Sequence, residues 1–188
     1  DVTTIGEYAF NNCDSLTSIE FSDSLTTIGE GAFFGCDSLT SIVIPENVTD
    51  VYEGAFRNCL SLREIRLPQI LRKISKEMFA GCTALVEITL PENCWGIDHF
   101  AFSGRTNLKE LHVSANLMDI GYEAFSYCSN LTIYAPAGSY AETYAKENGF
   151  IVSNDLGAIE DVVKAVVAAD PKSVSDYKGG KEKAFMAL

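Results

Sequence analysis

Six phenylalanines recur at an unvarying step: Phe10, Phe33, Phe56, Phe79, Phe102 and Phe125, each 23 residues after the last. A leucine column keeps the same step through Leu16, Leu39, Leu62, Leu85, Leu108 and Leu131. The unit at 16–38 reads LTSIEFSDSLTTIGEGAFFGCDS and returns until about Leu131. A fixed period of this length marks a solenoid, whose repeats bury their apolar face only against their neighbours.

Within each unit, 16–21 and its successors 39–44, 62–67, 85–90 and 108–113 carry the alternation of a short strand. Leu16, Ile19 and Phe21 point inward in the first of these, while Ser18 and Glu20 point to solvent, as do Glu64 and Arg66 two repeats later. One strand per turn stacks into a parallel ribbon, roughly 25 Å long for five or six strands at about 4.8 Å spacing. Pro45, Pro68 and Pro91 follow the strands, where a missing N–H ends a ladder at little cost. Two further inward columns come next: Leu25, Val48, Leu71, Cys94, Leu117, and then Ile5, Ile28, Val51, Ile74, Ile97, Ile120. The return path reads G-x-x-A-F-x-x-C. Ala9, Ala32, Ala55, Ala101 and Ala124 each precede a phenylalanine, so that small and large residues nest between successive coils.

Cys13, Cys36, Cys59, Cys82 and Cys128 share one column, with Arg105 in the remaining place. Regular cysteines invite a disulfide reading. Geometry favours a buried, reduced ladder instead: stacked side chains lie about 4.8 Å apart, whereas bridged Cβ atoms average about 3.8 Å. Paired C-x₂₋₄-C spacing, which structural zinc requires, does not occur. Cys94 belongs to the Leu25 column and reads as a small core residue. Arg105 in a core column demands a partner or an escape to solvent. Two readings stay open: a local distortion that lets it snorkel outward, or a partner-facing irregularity together with Trp95 and His99.

The array ends in a cap. Asn130-Leu-Thr-Ile-Tyr-Ala-Pro shortens the last strand, and Ser139-Tyr-Ala-Glu142 is a capping box with Ser139 as N-cap. The helix it opens carries Tyr140, Ala141, Tyr144 and Ala145, and Gly149 closes it before the extended run Phe150-Ile-Val152. Such a helix covers the open end of the stack. The expected organisation is therefore a repeat solenoid with its cap over 1–154 and a helical tail over 155–188. The tail abandons the 23-residue period: Ile159, Val162, Val163, Val166 and Val167 mark an amphipathic helix, stopped at Asp170-Pro171 before a second helix.

Charge narrows the function classes. Residues 1–154 carry 20 acidic and 9 basic side chains, a net of −11, and 155–188 carry 6 and 5, a net of −1. An array at −11 repels phosphate backbones, which excludes nucleic-acid binding by the repeats. No run of 18 apolar residues occurs, so no membrane-spanning helix is expected. The chain starts at Asp1 without a methionine or a signal-like apolar stretch, and reads as a fragment of a longer protein.

The 23-residue spacing, the order I-P-x-x-V/L-x-x-I-G-x-x-A-F-x-x-C-x-x-L and the ending LTIYAPAGSYAETYAKENGF resemble the BspA-like leucine-rich repeat family over residues 1 to about 152. Departures are single: Arg105 for Cys, Met78 for Ala, and Tyr52, Ser75 and Asp98 for Gly. The resemblance implies an α/β repeat solenoid, a right-handed coil with one short parallel strand per repeat, a C-terminal capping helix and a helical tail. It also implies a bacterial surface or secreted protein that adheres to host matrix or serum proteins or to other cells, and it brings no catalytic residues or cofactor. The stretch AIEDVVKAVVAADPKSVSDYKGGKEKAFMAL resembles the start of the GatB/YqeY tail domain of the tRNA-dependent amidotransferase, a helical module associated with tRNA. A module cut at Leu188 buries too little surface alone, so its apolar face is expected to pack on the cap or on another chain, including a second copy.

No enzyme signature is present: no Walker motif, G-x-S-x-G or H-E-x-x-H, and His99 and His112 read as surface residues on different faces of the coil. The expected binding surface is the exposed strand face, through Glu20, Val43, Arg63, Glu64, Arg66, Glu87, Thr89, Lys109, Glu110 and His112. Glu64, Glu87 and Glu110 stack in one column. Like charges directly opposite on adjacent strands are destabilising, so the column suggests a basic partner or a cation. Its alternative is a solvated face kept charged for solubility. A second column, Glu7, Glu30 and Glu53, reads as plain surface. The rivals to protein adhesion are RNA binding through the tail and a purely structural spacer.

Overall fold

In the computed structural model, residues 2–104 and 107–155 are described. Arg105 and the two expected tail helices lie outside the described residues. The described part is a parallel β-solenoid of short strands. Its first half runs β1 (Thr4–Ile5), β2 (Thr27–Ile28), β3 (Ser41–Val43), β4 (Asp50–Val51), β5 (Glu64–Arg66) and β6 (Lys73–Ile74). Its second half runs β7 (Glu87–Thr89), β8 (Gly96–Ile97), β9 (Glu110–His112), β10 (Asp119–Ile120) and β11 (Thr132–Tyr134), followed by the helix α1 (Tyr140–Glu147) and β12 (Ile151–Ser153).

Two ladders, not one, stack along the coil. The expected one runs β3-β5 and β7-β9-β11-β12. The second is built on the isoleucine column, in the order β1-β2-β4 and β6-β8-β10. Its strands are only two residues long, below what alternation reveals in a sequence. The segment 16–21, expected as the first strand, is not one. It lies in the first described coil and has a described neighbour on one side only.

Both ladders are interrupted between the same coils, at β4/β6 and at β5/β7. The return path is continuous where the ladders break. Gly54, Phe56 and Asn58 each donate their N–H to the next coil, at Lys76, Met78 and Ala80, over 2.8–3.1 Å. The same three-bond pattern links Tyr8, Phe10 and Asn12 to Glu30, Ala32 and Phe34. The first five coils make it by placing two residues in the left-handed region, one at 8, 31, 54, 77 or 100 and the other at 12, 35, 58, 81 or 104, and Glu123 and Tyr127 hold the same conformation in the last. Tyr8, Glu77, Phe100, Glu123 and Tyr127 hold this conformation without being glycine. That costs each about 1–2 kcal/mol, offset at Tyr8, Glu77 and Phe100 by the cross-coil bonds it makes possible.

The phenylalanine column lies inside these corners. Neighbouring rings from Phe10 to Phe125 stack at centroid separations of 5.1, 5.5, 5.9, 5.5 and 5.6 Å. Phe33, Phe56 and Phe79 have no exposed surface. The cysteine column is reduced, as expected. The thiols of Cys36, Cys59 and Cys82 each donate to the carbonyl of Phe10, Phe33 or Phe56 in the preceding coil, at 3.1 Å. Burial raises Cys36 and Cys94 to about 11 and Cys82 to about 12, and pushes Cys59 up as well.

Helix α1 is capped as the capping box predicts, with one shift. Ser139 Oγ accepts from Glu142 N at 3.2 Å, but the Glu142 carboxylate reaches past the N-cap to Gly138 N at 2.7 Å. At the other end Gly149 takes φ +75° and Phe150 N donates to Ala145 O at 2.9 Å, a Schellman closure. Phe150 stacks on Tyr144, and both rings meet Phe125 edge-on. The cap thus continues the aromatic column, and β12 adds a rung beside β11.

Truncating Phe56 to alanine removes a ring from the middle of the stack, and chemical denaturation should show a loss of about 3–5 kcal/mol. With a thiol-specific reagent at neutral pH, the native protein should expose Cys13 alone, the half-buried member, and unfolding should release the five buried thiols. Glu142 is held down to about 2 by Lys146, by the Gly138 N–H and by Asn154. Because its folded pKa is depressed, its contribution is present above the ordinary carboxylate range and is lost as pH falls towards 2. Amide protection in α1, taken relative to intrinsic exchange at each pH, should therefore fall across that window in the parent and lose the dependence in Glu142→Gln.

Candidate functional site

The strands of the expected face present alternate residues outward, so in-register pairing converts single residues into columns. Ser41 stands opposite Glu64, Glu87 opposite Glu110, and Glu110 opposite Thr132. The parallel column on the same face pairs Val43 with Arg66, and Thr89 with His112 and then Tyr134. Glu20, Arg63, Glu64, Glu87 and Lys109 are exposed, as expected. Val43 is 59% exposed, an aliphatic side chain among charges. Thr89 and Glu110 are half-buried.

The structure brings together only part of the expected acidic column. Glu87 and Glu110 are direct neighbours, but β5 and β7 are not ladder partners, so Glu64 falls on the far side of the break. Glu64, Glu87, Arg63 and Lys109 form no ion pair among the described residues. Arg66 differs: its guanidinium lies 3.5 Å from Glu46, whose other oxygen accepts from Gln69 N at 2.7 Å.

His112 corrects the surface reading outright. It is 3% exposed, stacked on Tyr134 at 4.4 Å and 13°, with Nε2 3.4 Å from Glu110. Its Nδ1 has no hydrogen-bond partner among the described residues. The cause is one missing residue. Earlier strands pair residues 23 apart, such as Glu87 with Glu110, whereas Glu110 pairs with Thr132, 22 residues on. That shortening brings an aromatic, Tyr134, over the imidazole. His112 is therefore part of the floor of the site and not a contact on it. His99 is exposed, and its Nδ1 accepts from Tyr122 N at 2.8 Å.

A second feature, on the return corners, was not read from the sequence. Tyr8, Glu30, Gly31, Phe34, Glu53, Gly54, Arg57 and Glu77 line an open depression. Tyr8 Oη donates to Glu30 at 2.7 Å, Lys76 Nζ lies 2.6 Å from Glu53, and Arg57 pairs with Glu77 while its guanidinium sits over Phe34. Glu30 and Glu53, expected as plain surface, are thus bonded side chains on its rim. The signal available in the sequence was the pair Gly31 and Gly54, one period apart and in line with Tyr8.

Among the described residues no group of three or more His, Cys, Asp or Glu side chains is arranged to hold a metal ion. No described helix is long and apolar enough to cross a membrane.

Comparison with known proteins matches these features. A leucine-rich repeat protein from Bacteroides ovatus is 28% identical, covering 71% of this chain and 47% of its own, with a TM-score of 0.57. The leucine-rich repeat protein of T. pallidum shares the fold at 24% identity, covering 81% and 79%, with a TM-score of 0.64. A leucine-rich cell surface protein from Faecalibacterium prausnitzii A2-165 does so at 23%, covering 77% and 54%, with a TM-score of 0.53. The C-terminal part is similar to something else: the GatB domain profile matches residues 131–188. Over 49 residues the chain is 52% identical to the GatB-type component of an aspartyl/glutamyl-tRNA(Asn/Gln) amidotransferase from Carboxydothermus hydrogenoformans, which is 26% of this chain and 10% of that protein. The chain thus spans a tenth of the curated relatives it matches first. The BspA type leucine rich repeat region matches in six copies over residues 3–132, with the phenylalanine, leucine and isoleucine columns in step, and the chain belongs to that family.

Proposed function

We propose that the array is a non-enzymatic protein-binding module of a bacterial surface or secreted protein, engaging its partner through the exposed strand face. The observation that carries this reading is the stacked pair Glu87 and Glu110, with Glu64 beyond the break and Val43 standing 59% exposed on the same face. Like charges held in register weaken a sheet, so a fold that keeps them leaves favourable energy for a basic partner to recover. The exposed valine adds apolar area at which contact excludes water. Adhesion to host matrix or serum proteins, or to other cells, is the use the family suggests, and the description of the F. prausnitzii relative as a cell surface protein agrees with that location.

A second reading rests on a separate observation, the 52% identity of the C-terminal segment to a tRNA-dependent amidotransferase component. In it the repeats are a scaffold and the tail associates with tRNA. The array's −11 charge opposes such an interaction, and only the tail would supply it.

The test measures binding to immobilised matrix and serum proteins and, separately, to bulk tRNA over a salt series. Glu64→Lys and Glu87→Lys should weaken protein binding at least about tenfold while leaving the melting temperature unchanged. Deleting 155–188 should leave that binding intact. Salt-sensitive tRNA binding that the same deletion abolishes, with no protein bound, would establish the second reading instead.

A further inference from the structure

The corner column Tyr8, Gly31, Gly54, Glu77, Phe100, Glu123 has one bare place in it. Tyr8 lies over Gly31: a Cβ added to that glycine would meet Tyr8 Cε1 at 2.3 Å. Its hydroxyl donates to Glu30 at 2.7 Å. One repeat further on, Gly54 takes the place of Gly31 and Glu53 the place of Glu30. The residue in Tyr8's place is now Gly31, which has no side chain to lay over its neighbour. A Cβ on Gly54 would meet only Arg57, at 3.7 Å from its Cβ and 4.0 Å from its Cδ. Two glycines in successive corners therefore leave an open depression of about 300 Å³.

We propose that this depression is a subsite for a tyrosine side chain of a partner protein, lying on Gly54 as Tyr8 lies on Gly31, with its hydroxyl donating to Glu53. The repeat supplies its own template for the occupant, because the two positions differ by one period of the same backbone. The volume is at the lower end of small-molecule pockets, which suits one side chain and not a cofactor. Phe34 and the guanidinium of Arg57, 5.6 Å above its ring, form a wall that favours an aromatic neighbour. Lys76 engages Oε1 of Glu53, and a carboxylate keeps acceptor sites on its second oxygen. Net charge is not the attraction. Glu30 is bonded to Tyr8, Glu53 to Lys76 and Glu77 to Arg57, so a neutral donor with a flat apolar ring fits better than a cation. This surface is separate from the strand face and does not depend on the function proposed for it.

The experiment titrates the isotope-labelled full chain with N-acetyl-tyrosinamide and, in parallel, N-acetyl-phenylalaninamide, following backbone amide shifts. The tyrosine probe should give saturable shifts centred on Gly31, Gly54 and Arg57 and bind about three- to tenfold more tightly than the phenylalanine probe, the difference one hydrogen bond makes. Glu53→Ala should bring the two probes level. Gly54→Asn should abolish the shifts with thermal unfolding unchanged. Asparagine already occupies the left-handed region in these corners, at φ +53° in Asn12 and +58° in Asn58, and its side chain would fill the depression. Shifts that do not saturate, that survive Gly54→Asn, or that are equal for both probes in the parent chain would overturn the proposal.

Discussion

The aromatic column is the constraint on which the rest depends. Rings spaced 5.1–5.9 Å apart, within 21° of parallel, set the distance between coils where the sheet ladders do not. Between the third and fourth coils neither ladder is continuous, yet the Phe56–Phe79 contact and the corner hydrogen bonds pass through unbroken. A solenoid is stabilised by nearest-neighbour interfaces, so an interface without its ladder must be held by its rings and its corners. The column thiols belong to the same system: Cys36, Cys59, Cys82 and Cys128 each donate to a phenylalanine carbonyl of the coil before, which a disulfide would forfeit.

The corners explain why the two candidate surfaces differ in kind. On the strand face the backbone is regular, and variation arises only from which side chain stands in which column. On the return side the left-handed residues turn the chain sharply, and a side chain at one corner lies over the next. Whether a corner is filled or open is decided by pairs of residues a full period apart, as with Tyr8 over Gly31 and nothing over Gly54. Solenoid surfaces can therefore be specified locally without disturbing the core.

The C-terminal end shows how one residue changes a site. Shortening the last repeat moves Tyr134 onto His112 and buries the imidazole. The cap extends both systems: Tyr144 and Phe150 meet Phe125 edge-on and continue the phenylalanine column, and β12 continues the strand ladder.

The sequence by itself determined the period, the inward columns, the reduced cysteines and the capped helix, because each depends on contacts at one fixed spacing or within one turn of chain. Phe10 through Phe125, Cys36 through Cys128 and Ser139 with Glu142 could be read without knowing how coils sit in space. Only the tertiary structure decided the second ladder, the left-handed corners, the break in the acidic column and the burial of His112. Two-residue strands carry no periodic signal, and cross-coil hydrogen bonds force Tyr8, Glu77 and Phe100 into a conformation that their residue types disfavour. The partner of Glu64 is set by strand pairing, and the exposure of His112 by a residue 22 positions later. What lies inside was written in the period; what each surface offers was decided where neighbouring coils meet.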